Sequence, residues 1–220
     1  GNATNAWNIN AGTADVAGDV TIGSAANNTV TRISRINIST GTLSAGNLKF
    51  RPFASAGREV QAVLALSGAG TVNLHGALTF NGNRGTLSTV AGSTFNFDRS
   101  ASAQTIAVPS SSTAAWVYAN IHSNNTSAAG AAFGFTSTAT SVTGNVRVLT
   151  GLMTVGNFNI VGAAGSTFEV ANGATFEMRS SAGGGTGAFP SGFGTITLGA
   201  TSTVAYNQTG NTNPWPIVTT

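Results

Sequence analysis

The side chains that could carry chemistry are few and lie far apart in this sequence. The two histidines, His75 and His122, are 47 positions apart, and neither has a carboxylate nearby in the sequence. A catalytic general base needs a nucleophile and an orienting group within hydrogen-bond reach. We therefore expect structural or surface roles for both histidines. No serine has a glycine two positions before it and two positions after it, so the nucleophile elbow of α/β-hydrolases is absent.

Two pairs of carboxylates are close enough in the sequence to be considered as sites. Asp15 and Asp19 form one pair, and Glu169 and Glu177 form the other. Two glutamates stacked on adjacent strands could act in a glycosidase or lyase cleft, or hold a calcium ion. Because no third ligand accompanies either pair, we interpret all four as solvated outward charges. We expect no catalytic residue, no metal site and no cofactor, and hence no enzyme.

Glycines and tryptophans provide two further candidates for binding. The glycine-rich run 183–187 lacks the Lys-Ser/Thr pair of a phosphate-binding loop and the Asp of a calcium-binding repeat, so we expect a flexible corner loop. Trp7, Trp116 and Trp215 could stack on glycans. Trp7 and Trp116 lie 109 positions apart in similar surroundings, which favours a packing role over glycan binding for these two.

The elements that must position these residues are duplicated in the sequence. The segment GTLSTVAGSTFNFD (85–98) matches GTITLGATSTVAYN (194–207) at an offset of 109, and GTLSAGNLKF (41–50) matches GLMTVGNFNI (151–160) at an offset of 110. Both members of each pair show alternation of apolar and polar residues, which indicates half-buried strands. The sequence therefore predicts two repeat units of about 110 residues, 1–110 and 111–220, in one continuous solenoid.

Composition limits both the secondary structure and the partners. With 29 Gly and 5 Pro, and no clean helical periodicity, we expect an all-β chain. Charged residues make up only 7% of the chain, so Thr, Ser, Asn and Gly must cover most of its surface. The formal charge of +3 comes from nine dispersed basic residues and six acidic ones, which does not suit nucleic-acid binding.

The same composition bears on location. The chain has no cysteine, which excludes disulfides and thiolate metal sites and suits an exported protein. No apolar run approaches the roughly 18 residues that would span a bilayer, so we expect no membrane insertion. The sequence begins with Gly and lacks a basic start followed by an apolar core, so we expect either a removed targeting segment or a fragment of a longer protein.

The spacing of apolar pairs favours a right-handed parallel β-helix. In the second unit these pairs recur 8, 10 or 20 positions apart; they are Phe158 and Ile160, Phe168 and Val170, Phe176 and Met178, Ile196 and Leu198, and Val204 and Tyr206. This predicts coils of 18 to 20 residues with two or three short strands each, ten or eleven coils, and a rod of roughly 50 Å. The alternative is a tandem pair of β-sandwiches of about 110 residues each.

Several segments resemble the repeats of large secreted surface proteins of Bacteroidota. They are GTLSAGNLKF (41–50), GSTFNFDRSASAQTI (92–106), the aromatic strand 116–121 and GNVRVLTGLMTVGNFNI (144–160). In that family a Gln-Thr-Ile strand precedes an aromatic strand, a Gly-Asn-Val strand and a Gly-x-Leu strand. Residues 213–215 depart from the pattern, since they read Asn-Pro-Trp. The resemblance implies export by the type IX system and a role in adhesion or gliding.

We therefore expect a structural protein of the extracellular space or cell surface. The leading hypothesis is a segment of a fibre or surface adhesin that associates end to end with other copies of the repeat, since uncapped solenoid ends favour open filaments. The alternatives are a carbohydrate-binding module, with surface glycans as partners, and a polysaccharide-degrading β-helix enzyme. With 15 charged residues in all, an enzyme groove would need a large share of them.

Overall fold

Runs rich in Thr, Val, Ile and Phe form 21 short β-strands, as their alternating pattern predicts. The computed structural model describes residues 3–23, 32–51, 53–55, 58–80, 85–107, 116–134, 139–155, 159–180 and 189–208, and none of these residues is helical. In chain order the strands are β1 (Ala3–Ile9), β2 (Thr13–Gly23), β3 (Arg32–Ile38), β4 (Thr42–Arg51), β5 (Phe53–Ser55), β6 (Arg58–Leu66), β7 (Thr71–Leu74), β8 (Leu78–Phe80), β9 (Thr86–Ser88), β10 (Thr94–Phe97), β11 (Gln104–Ala107), β12 (Asn120–Ser123), β13 (Ala131–Gly134), β14 (Ala139–Ser141), β15 (Val146–Val148), β16 (Leu152–Val155), β17 (Asn159–Val161), β18 (Thr167–Val170), β19 (Thr175–Ser180), β20 (Thr195–Leu198) and β21 (Thr203–Gln208).

The strands stack into parallel sheets that run along the solenoid. The nine-stranded sheet follows the order β2-β4-β7-β10-β12-β15-β18-β20, with β8 also paired to β4. One five-stranded sheet contains β1, β3, β6, β5 and β9, and the other follows the order β11-β13-β16-β19-β21. A two-stranded sheet joins β14 and β17. Within a coil the chain visits one strand of each main sheet in turn, as β17, β18 and β19 illustrate.

Parallel pairing confirms the prediction of a β-helix and excludes the tandem sandwiches. Every pairing between the described strands is parallel except that of β5 with β6, which is antiparallel. Immunoglobulin-type sandwiches are built from antiparallel sheets. A solenoid instead pairs each strand with its counterpart in the next coil.

The predicted coil length of 18 to 20 residues was wrong. In the nine-stranded sheet, Thr13 pairs with Thr42, 29 positions later, and Val146 pairs with Phe168, 22 positions later. The eight-residue spacing of apolar pairs instead separates neighbouring faces of one coil, as Phe168 in β18 and Phe176 in β19 show. Three strands with their corners need more residues than the sequence spacing suggested. The eight-strand path has seven intervals, and therefore spans about 34 Å at ~4.8 Å per interval.

The core consists of columns of inward side chains, each in register with its neighbours in the adjacent coils. The first column of the nine-stranded sheet contains Ala14, Leu43, Val72, Phe95, Ile121, Val146, Phe168 and Ile196. The second contains Val16, Ala45, Leu74, Phe97, Ser123, Val148, Val170 and Leu198. The central members are buried, whereas Ile196 and Leu198 in β20 are 47% and 43% exposed. Alternate residues of each strand thus form one continuous apolar interior.

Aromatic rings fill the middle of this interior. Trp116 packs edge-on against Phe50 and Phe80, with ring centroids 5.1 Å and 4.8 Å away. Tyr118 packs edge-on against Phe95 at 5.5 Å. Burial raises the pKa of the Tyr118 hydroxyl far above its usual range. Edge-to-face packing adds to the free energy gained from burial, so this cluster stabilises the middle coils.

The matching sequence segments lie on different faces of the solenoid. In the copy that starts at Gly85, strands β9 and β10 belong to the first five-stranded sheet and the nine-stranded sheet. In the copy that starts at Gly194, strands β20 and β21 belong to the nine-stranded sheet and the second five-stranded sheet. The duplication therefore preserves strand patterns but not the face on which each strand lies. The boundary between units 1–110 and 111–220 falls outside the described residues and stays a prediction.

Candidate functional site on the nine-stranded sheet

The outer face of the nine-stranded sheet carries a column of polar side chains. These residues alternate with the inward columns and pair in register from coil to coil; they are Asp15, Ser44, Asn73, Asn96, His122, Arg147, Glu169 and Thr197. Amide side chains bridge the coils here, since Asn96 Nδ2 donates to Asn73 Oδ1 at 3.2 Å. This face therefore gathers both histidines and several charges of a chain that has few of either.

Three successive coils bring Ser44, His75 and Asp98 together on this face. Ser44 lies in β4 beside Asn73 of β7, and His75 follows directly after β7. Asp98 follows β10, and because Phe97 pairs with Leu74, the next position places Asp98 beside His75. The backbone fixes this arrangement, since the His75 amide donates to the Ala45 carbonyl at 2.9 Å.

The side chains of this serine–histidine–aspartate cluster are in contact. Ser44 Oγ lies 2.8 Å from His75 Nε2, and His75 Nδ1 lies 2.7 Å from Asp98 Oδ1. That Asp98 oxygen is shielded from solvent and has no aligned hydrogen-bond donor in the described chain, so the second contact is close but imperfectly oriented. Ser44 is 9% exposed, while the His75 and Asp98 side chains are 47% and 21% exposed. A histidine between a hydroxyl and a carboxylate can act as a general base.

Sequence analysis missed this cluster because it looked for a carboxylate near each histidine in the sequence. Asp98 follows His75 by 23 positions, and His75 follows Ser44 by 31. Both separations correspond to one coil plus a small displacement along the strand, which the predicted coils of 18 to 20 residues did not reveal. The correct coil length would have been the signal that connects the three residues.

His122 lies on the same face but in different company. It is in register with Arg147, which forms an ion pair with Glu169 through Nε and Oε2 at 3.2 Å. Burial and, to a lesser extent, the charge of Arg147 lower the pKa of His122, while Glu169 acts in the opposite direction. The neutral imidazole is therefore the favoured form in the folded chain.

The two carboxylate pairs do not form sites. Glu169 lies in β18 and Glu177 in β19, which belong to different sheets, so they do not stack as a glycosidase pair would. Glu177 forms an ion pair with Arg179. Asp19 forms an ion pair with Lys49, and the hydrogen bonds from Lys49 and Asn47 lower the pKa of Asp19. Among the described residues, no group of three or more His, Cys, Asp or Glu side chains could hold a metal ion.

The tryptophans differ in their accessibility to a ligand. Trp116 is only 9% exposed and packs inside the aromatic cluster, so its ring faces are not open to a glycan. Trp7 is 42% exposed in β1, although it is in register with the buried Ile36. Trp7 thus occupies a core position in the first described coil, where no further coil of the described chain covers it. Trp215 and the glycine-rich run 183–187 lie outside the described residues.

Comparisons with known proteins add no functional assignment. Compared with protein-family models, with curated proteins and with solved structures, the chain matches none of them. The resemblance to Bacteroidota surface proteins therefore stays a prediction. Across the described residues there is also no helix of the length and apolarity that crossing a bilayer requires.

Proposed function

We propose that this chain is a structural rod, a segment of an extracellular fibre or cell-surface adhesin that packs end to end against other copies. The observation behind the proposal is that the apolar core columns continue to the surface of the last described coil. Ile196 and Leu198 belong to columns whose preceding members, Phe168 and Val170, are fully buried. An apolar surface of this kind favours burial against a partner.

The first described coil offers a matching surface. Trp7 in β1 is 42% exposed, and Ala14 and Val16 in β2 are only half-buried although they head the same two columns. If β2 of one copy packs in parallel on β20 of another, Ala14 meets Ile196 and Val16 meets Leu198. Such a contact uses two different surfaces and does not close on itself, so it generates an open filament. The extracellular location rests on the resemblance and on the absence of cysteine.

The test is the concentration dependence of the assembly state. We expect the wild-type chain to form larger species as concentration rises, observed by sedimentation velocity and by electron microscopy. Ile196→Lys should abolish them because it places a charge in the contact. Thr197→Lys is the matched control, since it adds the same charge one position away on the outer column. A wild-type chain that stays monomeric at high concentration, or equal disruption by both variants, contradicts the proposal.

A further inference from the structure

We propose that Ser44 is the nucleophile of a hydrolytic site for small carboxylic esters, with His75 as its general base and Asp98 as a positioning residue. The site is independent of end-to-end packing, since it lies on the side of the solenoid and not at its ends. It would make the rod an enzyme as well, against the expectation from sequence.

The contacts determine which nitrogen of His75 carries the proton. An ionised carboxylate only accepts hydrogen bonds, so Asp98 Oδ1, 2.7 Å from Nδ1, favours the tautomer with the proton on Nδ1. Nε2 is then the acceptor, and the Ser44 hydroxyl donates to it at 2.8 Å. A small rotation of the half-exposed imidazole aligns Nδ1–H with Oδ1, and catalytic contacts commonly tighten when substrate binds. This is the arrangement that activates a serine hydroxyl.

A donor for the developing oxyanion lies next to the nucleophile. Asn73 is in register with Ser44 on the adjacent strand, and its Oδ1 accepts a hydrogen bond from Asn96. That bond orients the amide and assigns Nδ2 of Asn73 as the group that can donate to a substrate oxygen. Side-chain amides of asparagine stabilise oxyanions in this way. Because Ser44 is only 9% exposed, a compact acyl group such as acetyl suits the site best.

The reaction balances without a cofactor. Ser44 Oγ bonds to the carbonyl carbon and passes its proton to His75 Nε2. The ester C–O bond then breaks, and the alcohol leaves with that proton. Water attacks the acyl-serine, His75 takes a proton from the water and returns it to Ser44 Oγ, and the carboxylic acid is released. Asp98 stays ionised and holds the imidazolium in place.

The experiment combines covalent labelling with ester hydrolysis. A fluorophosphonate probe should label the intact wild-type chain at Ser44, as mapped by mass spectrometry, and Ser44→Ala should remove that label. With p-nitrophenyl acetate, His75→Gln should lower the rate by about 100-fold or more. Asp98→Asn should lower kcat with little change in KM, because it disturbs the tautomer and not substrate binding. Thermal unfolding of each variant shows whether the fold is kept.

His122→Gln is the matched control, since it removes the other histidine of the same face, which makes no contact with Ser44. It should keep the wild-type rate and labelling. The proposal is overturned if the wild-type chain is not labelled at Ser44. It is equally overturned if His75→Gln hydrolyses the ester as fast as the wild type, or if His122→Gln loses as much activity.

Discussion

Gln104 is the residue whose replacement tests the internal hydrogen bonding of the solenoid most directly. Its side chain is 2% exposed. Its Nε2 donates to the carbonyls of Leu74 at 2.6 Å and Gly76 at 2.9 Å. Its Oε1 accepts from the Arg99 amide at 2.9 Å and from Asn125 Nδ2 at 3.1 Å. One side chain thus joins two successive coils at the corner that precedes β11.

Replacement by leucine keeps the approximate volume but leaves polar groups without partners. The Leu74 carbonyl keeps the bond from the Asp98 amide at 3.2 Å, and Asn125 Nδ2 keeps its bond to the Ser102 carbonyl at 3.2 Å. The Arg99 amide and the Gly76 carbonyl lose the only partners shown for them in the described chain. Each unpaired buried group costs about 1–3 kcal/mol, and the added apolar burial offsets about 1 kcal/mol.

We therefore expect Gln104→Leu to lower the free energy of unfolding by about 3 kcal/mol, measured by denaturant titration monitored by circular dichroism. The Arg99 amide should also exchange its hydrogen faster. Thr105→Val is the control, because Thr105 is exposed on the same strand, and its effect should stay within about 0.5 kcal/mol. If Gln104→Leu unfolds at the wild-type denaturant concentration, the role assigned to these four hydrogen bonds is wrong.

Two further predictions concern a corner and a histidine. Gly76→Ala should destabilise the chain by about 2 kcal/mol in denaturant titration, because its Cβ would collide with the Gly46 carbonyl of the preceding coil, whereas Gly165→Ala, whose Cβ meets nothing nearby, should have little effect. Equal effects of the two alanines would contradict this. Burial and Arg147 hold the pKa of His122 below its ordinary 6.5, so the unfolded chain binds the proton more readily and stability should fall as pH drops below 6.5. His122→Gln should flatten this pH dependence, and an unchanged profile would refute the assignment.

Particular residues show how far the sequence leads. The alternation in GTLSAGNLKF (41–50) correctly predicts a strand with Leu43 inward and Ser44 outward, because successive side chains of a strand point to opposite faces. The Gln-Thr-Ile motif at 104–106 was noticed, but nothing in the sequence shows that the glutamine is a buried link between coils. Its partners lie 28 and 30 positions earlier in the sequence.

The sequence by itself determined the all-β class and the inward or outward direction of most strand residues, since both depend on local backbone geometry. Only the tertiary structure decided which residues are neighbours across coils. That neighbourhood depends on the summed length of three strands and their corners, which varies from 22 to 29 residues in the nine-stranded sheet. A difference of one residue in a corner would move Asp98 away from His75. For this reason the contact between Ser44, His75 and Asp98 is a property of the wound chain and not of any local pattern.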